Sequence, residues 1–526
     1  MPRRFYVRFR IPQWVTAVSL DQFSGSPFDR VFTAAQSRAL DQLAIERYAI
    51  PGIVLMKRAG RVAWEVLRAS WPGIDSITVV CGRGNNAGDG YIVAGCALSS
   101  GVRVQLVQLG AASALRGDAA SARDWAVGLG LVVAEVDADA PEFEIAGAVI
   151  VDALLGTGAT GDVRKGFARA IERIHAAGVP VLALDIPSGL CADTGSVLGS
   201  AIRADATVTF IGMKRGLVTG AGPDHTGRII LDTLDVPDAC YVEIGGIPAL
   251  RWESQRHLLP ERPATAYKHQ SGHALVIGGD SGMGGAVAMA AEAALRVGAG
   301  LVSVVTRPEH ITAVLARRPE IMVKGVGSST QIDALIDRAT VVAIGPGLGR
   351  GDWGRSLLDR AIESGKPLVV DADGLHLLTQ RYGTRGVLGS ASLVLTPHVA
   401  EAATLLGSGV AEVQRDRFAA AEALAARVPN GAVVLKGAGS VVANSECTGV
   451  CLHGNPGMAS AGMGDVLTGV IAGLLAQGLR AIDATNAGVC LHSFAADRVA
   501  ATSGRRGLLA TDLLPEMRAI LNEPTD

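Results

Sequence analysis

Two short stretches concentrate the residues able to do chemistry. The first, CGRGNNAGDGY (81–91), sets two asparagines and an aspartate among four glycines, directly after the β-branched run ITVV. A glycine-rich turn behind a strand often meets a nucleotide's phosphates. No Lys-Ser/Thr pair follows, which excludes a Walker loop. Gly82, Gly84 and Ala87 nearly match the dinucleotide fingerprint, but the next apolar run, RVQLVQL, has no acidic residue for a ribose diol. Asn85 and Asn86 can donate and accept through their amides, and Asp89 offers an anionic oxygen. Two further fragments, VDALLGTGATGD (151–162) and LDIPSG (184–189), also fall at the C-terminal ends of predicted strands. Ligands gather at that edge of an open α/β sheet. The two asparagines and Asp89, with Asp152 and Ser188, could give oxygen ligands to a hard cation. Asp185 is a candidate acid or base. The plainer reading of Asp152 or Asp185 alone is a helix cap, and it weakens once the three loops are read together.

The second stretch is NPGMASAGMGDVLTGVIAGLLAQG (455–478), a glycine turn running into an apolar helix. The spacing predicts Gly462, Met463, Gly464 and Asp465 as the first residues of that helix, whose free N–H groups make an anion site. An aspartate there repels phosphate at rest. Base catalysis gives it a purpose: Asp465 takes a proton from a hydroxyl attacking a phosphoryl group. The competing reading is a helix cap. VLKGAGS (434–440) is the companion loop. Asp371 and Asp373 in DADGL are magnesium or water ligands, or strand-end caps, and rank below Asp465.

The elements that must position these groups read as α/β repetition. Thr33 caps a helical pattern, and a second helix, GIVLMKRAGRVAWEVLRAS, follows. SITVVCG, RVQLVQL, AVIVDALLG, PVLALDIPSG and ATVTFIG are then strands of a parallel sheet buried on both faces. The pattern lapses over 238–263. A second series runs from HALVIGGDSGMGG through VVAIGPGLG, PLVVDADGL, SLVLTPH and AVVLKGAGS. The expected organisation is an N-terminal extension over 1–32, one domain over 33–240, a linker over 241–265 and a second domain over 266–526. Glycine, 66 of 526 residues, fits many tight strand–helix turns. The net charge of −2 suggests neither a nucleic-acid partner nor an anionic membrane surface. No uninterrupted apolar run is long enough to span a bilayer. Seven scattered cysteines read as reduced thiols in a cytoplasmic protein.

The combination AAQSRALD, LMKRAG, GRGNNAGDG, VDALLGTG and DIPSG resembles the N-terminal, YjeF-type epimerase domain of the bifunctional NAD(P)H-hydrate repair enzymes. The second domain resembles their ADP-dependent dehydratase half, of the ribokinase-like superfamily, through GPGLG, DADGL, TPH, KGAGS and GMGD. Ala87, Ala400 and Ala461 depart from the family pattern without removing a reacting group. The resemblance implies an α/β fold with a Rossmann-like three-layer domain followed by a ribokinase-like α/β domain. It implies that Asn85, Asn86, Ala87, Gly88 and Asp89, with Gly156, Thr157, Gly158, Ala159, Thr160, Gly161 and Asp162, hold the hydrated nucleotide NAD(P)HX. Asn86, Asp152 and Ser188 would hold K+, and Asp185 would act on the ring. In the second domain Ala286, Gly349 (chosen over Gly347) and His398 would lie against the hydrate. Lys436, Gly437, Ala438, Gly439, Ser440 and Gly464 would contact ADP, carried with Mg2+, and Asp465 would meet the substrate hydroxyl. A homo-oligomer is implied by the family alone. The alternatives are a ribokinase-like vitamin or sugar kinase fused to a nucleotide-binding domain, and a non-enzymatic binding module.

Overall fold

The computed structural model describes residues 27–259, 261–383 and 392–524. Residues 1–26 of the expected extension lie outside that set. Thr33 does cap the helix Ala34–Glu46: its hydroxyl accepts from the Gln36 N–H at 3.1 Å, and Gln36 Oε1 accepts from the Thr33 N–H at 3.0 Å. This reciprocal box satisfies two otherwise orphaned groups. The helix Gly52–Ser70 follows.

A first, seven-stranded parallel sheet has the order Val133–Val136, Arg103–Leu109, Ser76–Cys81, Val149–Ala153, Val181–Leu184, Ala206–Phe210, Arg228–Asp232. The five inner strands are those predicted. The two edge strands carry polar and exposed positions and lack the continuous apolar signature. Within the strand Ser76–Cys81, Ile77 and Val79 face one apolar core and Val80 the other. Period-2 alternation thus buries both faces of the sheet under helices.

The stretch 81–91 is less of a loop than its glycines suggest. Helix begins at Asn85 and continues to Ser99, so only 82–84 turn freely. Gly88 and Gly90 serve close packing: a Cβ on Gly88 would lie 2.5 Å from Met56 Sδ, and one on Gly90 2.6 Å from Ala153 Cβ. Ala87 is fully buried in the same helical turn with negative φ, so its methyl fits without backbone strain.

The second sheet has twelve strands. Its centre is parallel, in the order Met322–Gly325, Leu301–Thr306, His273–Ile277, Val341–Ile344, Leu368–Val370, Leu393–Leu395, Ala432–Leu435. Val441–Ala443 and Thr448–Cys451 continue it antiparallel. Ala274 and Val276 face one core, Leu275 and Ile277 the other.

The expected linker is partly sheet. Ile247–Leu250 pairs parallel with Thr448–Cys451 and antiparallel with Arg30–Phe32, which pairs in turn with Met213–Lys214. Segments from the expected extension, first domain and linker therefore extend the second sheet. Such short strands gain a register only from their neighbours, so no local pattern announces them. Among the described residues no helix is long and apolar enough to cross a membrane.

Candidate active sites

The C-terminal edge of the first sheet opens on a cavity of about 620 Å³. Asn85, Asn86 and Asp89, the loop 156–162, and Asp185 all line it. The three fragments, far apart in sequence, converge because parallel strands end on the same side of the sheet. Ala87 and Gly88 lie behind this lining, buried in the helix that presents the asparagines.

Asp185 follows the strand Val181–Leu184 with φ +63°, a conformation an L side chain adopts only under constraint. Its N–H donates to Val208 O at 2.7 Å. The constraint on its side chain is Lys214, which the sequence reading missed. Lys214 Nζ ion-pairs with Asp185 Oδ1 and also donates to Thr209 Oγ1 at 3.0 Å and Phe210 O at 2.8 Å. Lys214 is nearly fully buried, so its charge faces the aspartate with little water between. Burial, followed by the charges of Asp185 and Asp41, holds the Asp89 carboxyl well above the usual carboxylate range. Burial likewise raises Asp41, the last residue of AAQSRALD, to which the sequence reading gave no role and which also lines the cavity. The run ATVTFIG is followed in the sequence by two adjacent cations, Lys214 and Arg215, and nothing local marks the first over the second.

Beneath the cavity Asp152 and Ser188 are fully buried. Ser188 Oγ donates to Asp152 Oδ1 at 2.6 Å, and the Ser188 N–H donates to Oδ2 at 2.8 Å. Burial pushes Asp152 up to about 6 against these donors. Asn86 Nδ2 donates to Leu155 O at 2.9 Å, while its buried Oδ1 has no hydrogen-bond partner. An orphaned buried carbonyl oxygen is costly. It lies in a neighbourhood of oxygens (Leu155 O, Ser188 Oγ and Asp152), the donor chemistry that suits a hard cation.

In the second domain the loops at 278–280, 345–349, 371–373, 397–398 and 436–440 all follow C-terminal ends of parallel strands. Asp371 is the hub. Lys436 Nζ donates to its Oδ1 at 2.7 Å and Thr468 Oγ1 to its Oδ2 at 2.9 Å. A Cβ on Gly345 would lie 1.8 Å from its carbonyl oxygen. The next residue, Ala372, is forced to φ +48°. Burial works against the Asp371 carboxylate, yet Lys436 and the two hydroxyls of Thr396 and Thr468 keep it below its ordinary value.

Gly462, at φ +88°, turns the chain into the helix Met463–Ala476, and no side chain caps it. Asp465 occupies its first turn, yet among the described residues no hydrogen bond is assigned to its carboxylate. The cap reading of Asp465 therefore has no bond to rest on. Burial, then the Asp371 charge, lifts it to about 6, opposed by Lys436. A Cβ on Gly464 would lie 3.2 Å from Lys436 Nζ and 3.3 Å from Asp371 Oδ2, so the backbone passes directly over this pair. Lys436, expected as a nucleotide contact, thus sits beneath the turn at Gly462–Asp465 and is held charged by Asp371 and Glu401 against burial. Asp371, ranked below Asp465 from sequence, and Glu401, given no role there, both face Lys436.

His398 is exposed and caps the helix Val399–Leu406, its Nδ1 accepting from Ala400 N at 3.1 Å and Glu401 N at 3.3 Å. Gly347 lies beside Ala286: a Cβ on it would come 3.3 Å from the Ala286 Cβ. Gly349 packs instead on Asp280 and donates its N–H to Asp373 Oδ2 at 3.1 Å.

Residues 274–518 match the family described as NAD(P)H-hydrate dehydratase, and residues 52–216 match the YjeF-related protein N-terminus. The chain is 46% identical over 490 residues to the bifunctional NAD(P)H-hydrate repair enzyme Nnr of Coxiella burnetii, covering 93% of this chain and 98% of that one. It is 42% identical over 493 residues to the protein of the same name from Escherichia coli, with 93% of each covered. A solved structure, the ADP/ATP-dependent NAD(P)H-hydrate dehydratase from Bacillus subtilis co-crystallised with ATP and Mg2+, is 29% identical, with a TM-score of 0.48 and coverage of 52% of this chain and 99% of that one. Similarity of this extent runs through both sheets and both sets of loops, and the chain belongs to the family of bifunctional NAD(P)H-hydrate repair enzymes, a Rossmann-like YjeF-type domain fused to a ribokinase-like one.

Proposed function

We propose that the chain repairs hydrated nicotinamide nucleotides in two steps, epimerising (R)- and (S)-NAD(P)HX at the first site and dehydrating the S form with ADP at the second. The observation that carries this reading is the pair of aspartates at separate strand-end sites: Asp185, strained and ion-paired inside a cavity, and Asp465, half-buried at a helix N-terminus with, among the described residues, no hydrogen bond to its carboxylate.

At the first site the nucleotide lies along Asn85, Asn86 and Asp89, backed by Ala87 and Gly88, and along Gly156–Asp162. The reacting carbon is a hemiaminal carbon, so its C–O bond breaks as the ring nitrogen pushes in electrons, and hydroxide returns on the other face. Asp185 moves the proton that accompanies departure and return. Lys214 keeps that carboxylate in one position and supplies the positive charge beside it. Asp89, whose carboxyl burial holds well above the usual carboxylate range, lines the same cavity. Asn86, Asp152 and Ser188 fit a potassium ion, which would supply a fixed positive field toward the nucleotide.

At the second site Asp465 removes the proton from the hydrate hydroxyl as that oxygen attacks the β-phosphoryl group of ADP, releasing AMP. The N–H groups of the first helical turn face the charge that develops on the transferring oxygens. Phosphate then leaves with the C–O electron pair, the ring nitrogen assists, and loss of the neighbouring C–H proton restores the ring double bond of NAD(P)H. Ala286, Gly349 and His398 bound the hydrate, and Lys436–Ser440 with Gly464 bound the nucleotide. Magnesium travels with the ADP phosphates and would supply charge neutralisation there. The seven cysteines are free thiols, which supports a reducing, cytoplasmic setting, and a homo-oligomer rests on family resemblance.

The test is absorbance at 340 nm with an R/S mixture of NADHX, ADP, Mg2+ and K+. Recovery beyond the S fraction, after subtraction of spontaneous epimerisation, requires both activities. Recovery that stops at the S fraction removes the epimerase claim, and no recovery with ADP or ATP turns the reading to a small-molecule kinase.

A further inference from the structure

We propose that Thr219, a residue of the first domain, is a positioning residue for the nucleotide loop 436–440 of the second domain, acting together with Arg417. The inference rests on the reading that this loop holds ADP.

Thr219 lies five residues beyond Lys214 and is fully buried. Its Oγ1 hydroxyl reaches across the domain boundary to share its proton between Ala438 O at 3.2 Å and Gly439 O at 3.1 Å. The same oxygen accepts from Arg417 Nε at 3.1 Å, and Arg417 Nη2 donates to Leu435 O at 3.1 Å. One hydroxyl therefore joins a guanidinium and two loop carbonyls.

The approach is close on both sides of this junction. A Cβ on Gly437 would lie 2.9 Å from Nη1 and Nη2 of Arg417, so the loop rests directly on the guanidinium. Gly439, at φ +60°, passes so near that a Cβ on it would lie 2.0 Å from Val218 O. Arg215 of the first domain stacks over the Phe418 ring at 5.0 Å, beside Arg417. Arg417 is buried, and among the described residues no carboxylate ion-pairs with it. An unpaired cation directly under a glycine-rich loop gives that loop a positive field, which suits a diphosphate above it. Its placement depends on the Thr219 oxygen, since a buried N–H without an acceptor is destabilising and would be free to turn elsewhere. The Gly-Ala-Gly loop has little side-chain packing of its own, so without the brace it must be ordered when ADP binds.

The experiment uses the full chain. Thr219→Val keeps the shape and removes the hydroxyl, and Thr219→Ser keeps the hydroxyl. Titration calorimetry with Mg-ADP is expected to give a dissociation constant raised about tenfold for Thr219→Val and restored for Thr219→Ser. The epimerisation rate and the KM for the S hydrate stay at wild-type values. Ser440→Glu tests the loop itself by placing a negative charge in it. If Ser440→Glu weakens ADP while Thr219→Val binds it as the wild type does, the proposal is overturned and the loop assignment stands. If neither weakens ADP, both are overturned. Hydrogen exchange on the unmutated protein covers the case in which Thr219→Val does not fold. Mg-ADP is expected to slow exchange in 437–440 and in 216–222 together, and protection confined to 437–440 overturns the proposal.

Discussion

The pH dependence of the dehydratase can be worked from Asp465. Burial and then the neighbouring Asp371 charge lift its carboxyl from 3.8 to about 6, with Lys436 pulling the other way. That lift corresponds to about 3 kcal/mol of disfavoured ionisation. A base must be unprotonated, so activity is full above the lifted value and is lost as pH falls through it. With a value of about 6, the ionised fraction is about nine-tenths at pH 7 and about one-tenth at pH 5. The kcat on purified S hydrate is therefore expected to fall about tenfold across that interval, whereas a carboxylate left at 3.8 would change it little. The assay is initial rate at 340 nm under saturating ADP and Mg2+, supplied with the S form so that the first site is not needed. ADP phosphate ionises in a similar range, so Asp371→Asn is the discriminating variant. It removes the like charge and moves an Asp465 limb to lower pH, but leaves an ADP limb where it was. A flat profile from pH 5 to 7, or a limb unmoved by Asp371→Asn, refutes the assignment of Asp465 as the base.

Asp185→Asn is expected to slow conversion of the R form by about 10²–10⁴-fold while the S form is dehydrated at the wild-type rate; slowed turnover of both forms would argue against a base confined to the first site. Lys214→Met leaves Asp185 facing a buried gap, and should lower epimerisation about 10²-fold and stability to urea by about 3 kcal/mol; a stability loss with an unchanged epimerisation rate would reduce Lys214 to a core residue. Asn86→Leu removes the orphaned oxygen and is expected to raise the K+ concentration for half-maximal epimerisation about tenfold, with choline chloride holding ionic strength; a wild-type enzyme indifferent to K+ would remove the ion from the account. Gly464→Ala places a methyl 3.2 Å from Lys436 Nζ, and should raise the KM for ADP about fivefold with little change in Tm; an unchanged KM would place ADP away from this turn.

The strands that carry chemistry were legible in the sequence because parallel strands buried on both faces are continuous apolar runs, and because glycine and aspartate at their ends break those runs. Asp185, Asn85 and Asn86 were singled out that way, Asp465 by the glycine turn that runs into an apolar helix, and the resemblance of their loops to the hydrate-repair family supplied the rest of the expected site. Sequence alone also placed the Thr33 cap and, to within one residue, the helix start at Gly462, which is the cap of a helix beginning at Met463, since both depend on residues within one turn of each other. It misread the glycines of 81–91 as loop, when Gly88 and Gly90 admit Met56 and Ala153 into a helix. It assigned no role to Lys214, to Asp41 at the end of AAQSRALD or to Glu401 behind TPH, because a charged residue has meaning only beside its partner. Nor could it find the strands Arg30–Phe32, Met213–Lys214 and Ile247–Leu250, which are too short to declare themselves and exist through pairing. What only the tertiary structure decided is which polar groups face one another: Lys214 on Asp185, Lys436 on Asp371 beneath Gly464, and the Thr219 hydroxyl across the boundary onto Arg417. Those pairings join residues up to 198 positions apart, and Coulomb energy and desolvation depend on distance and burial in space, which no local pattern of residues encodes.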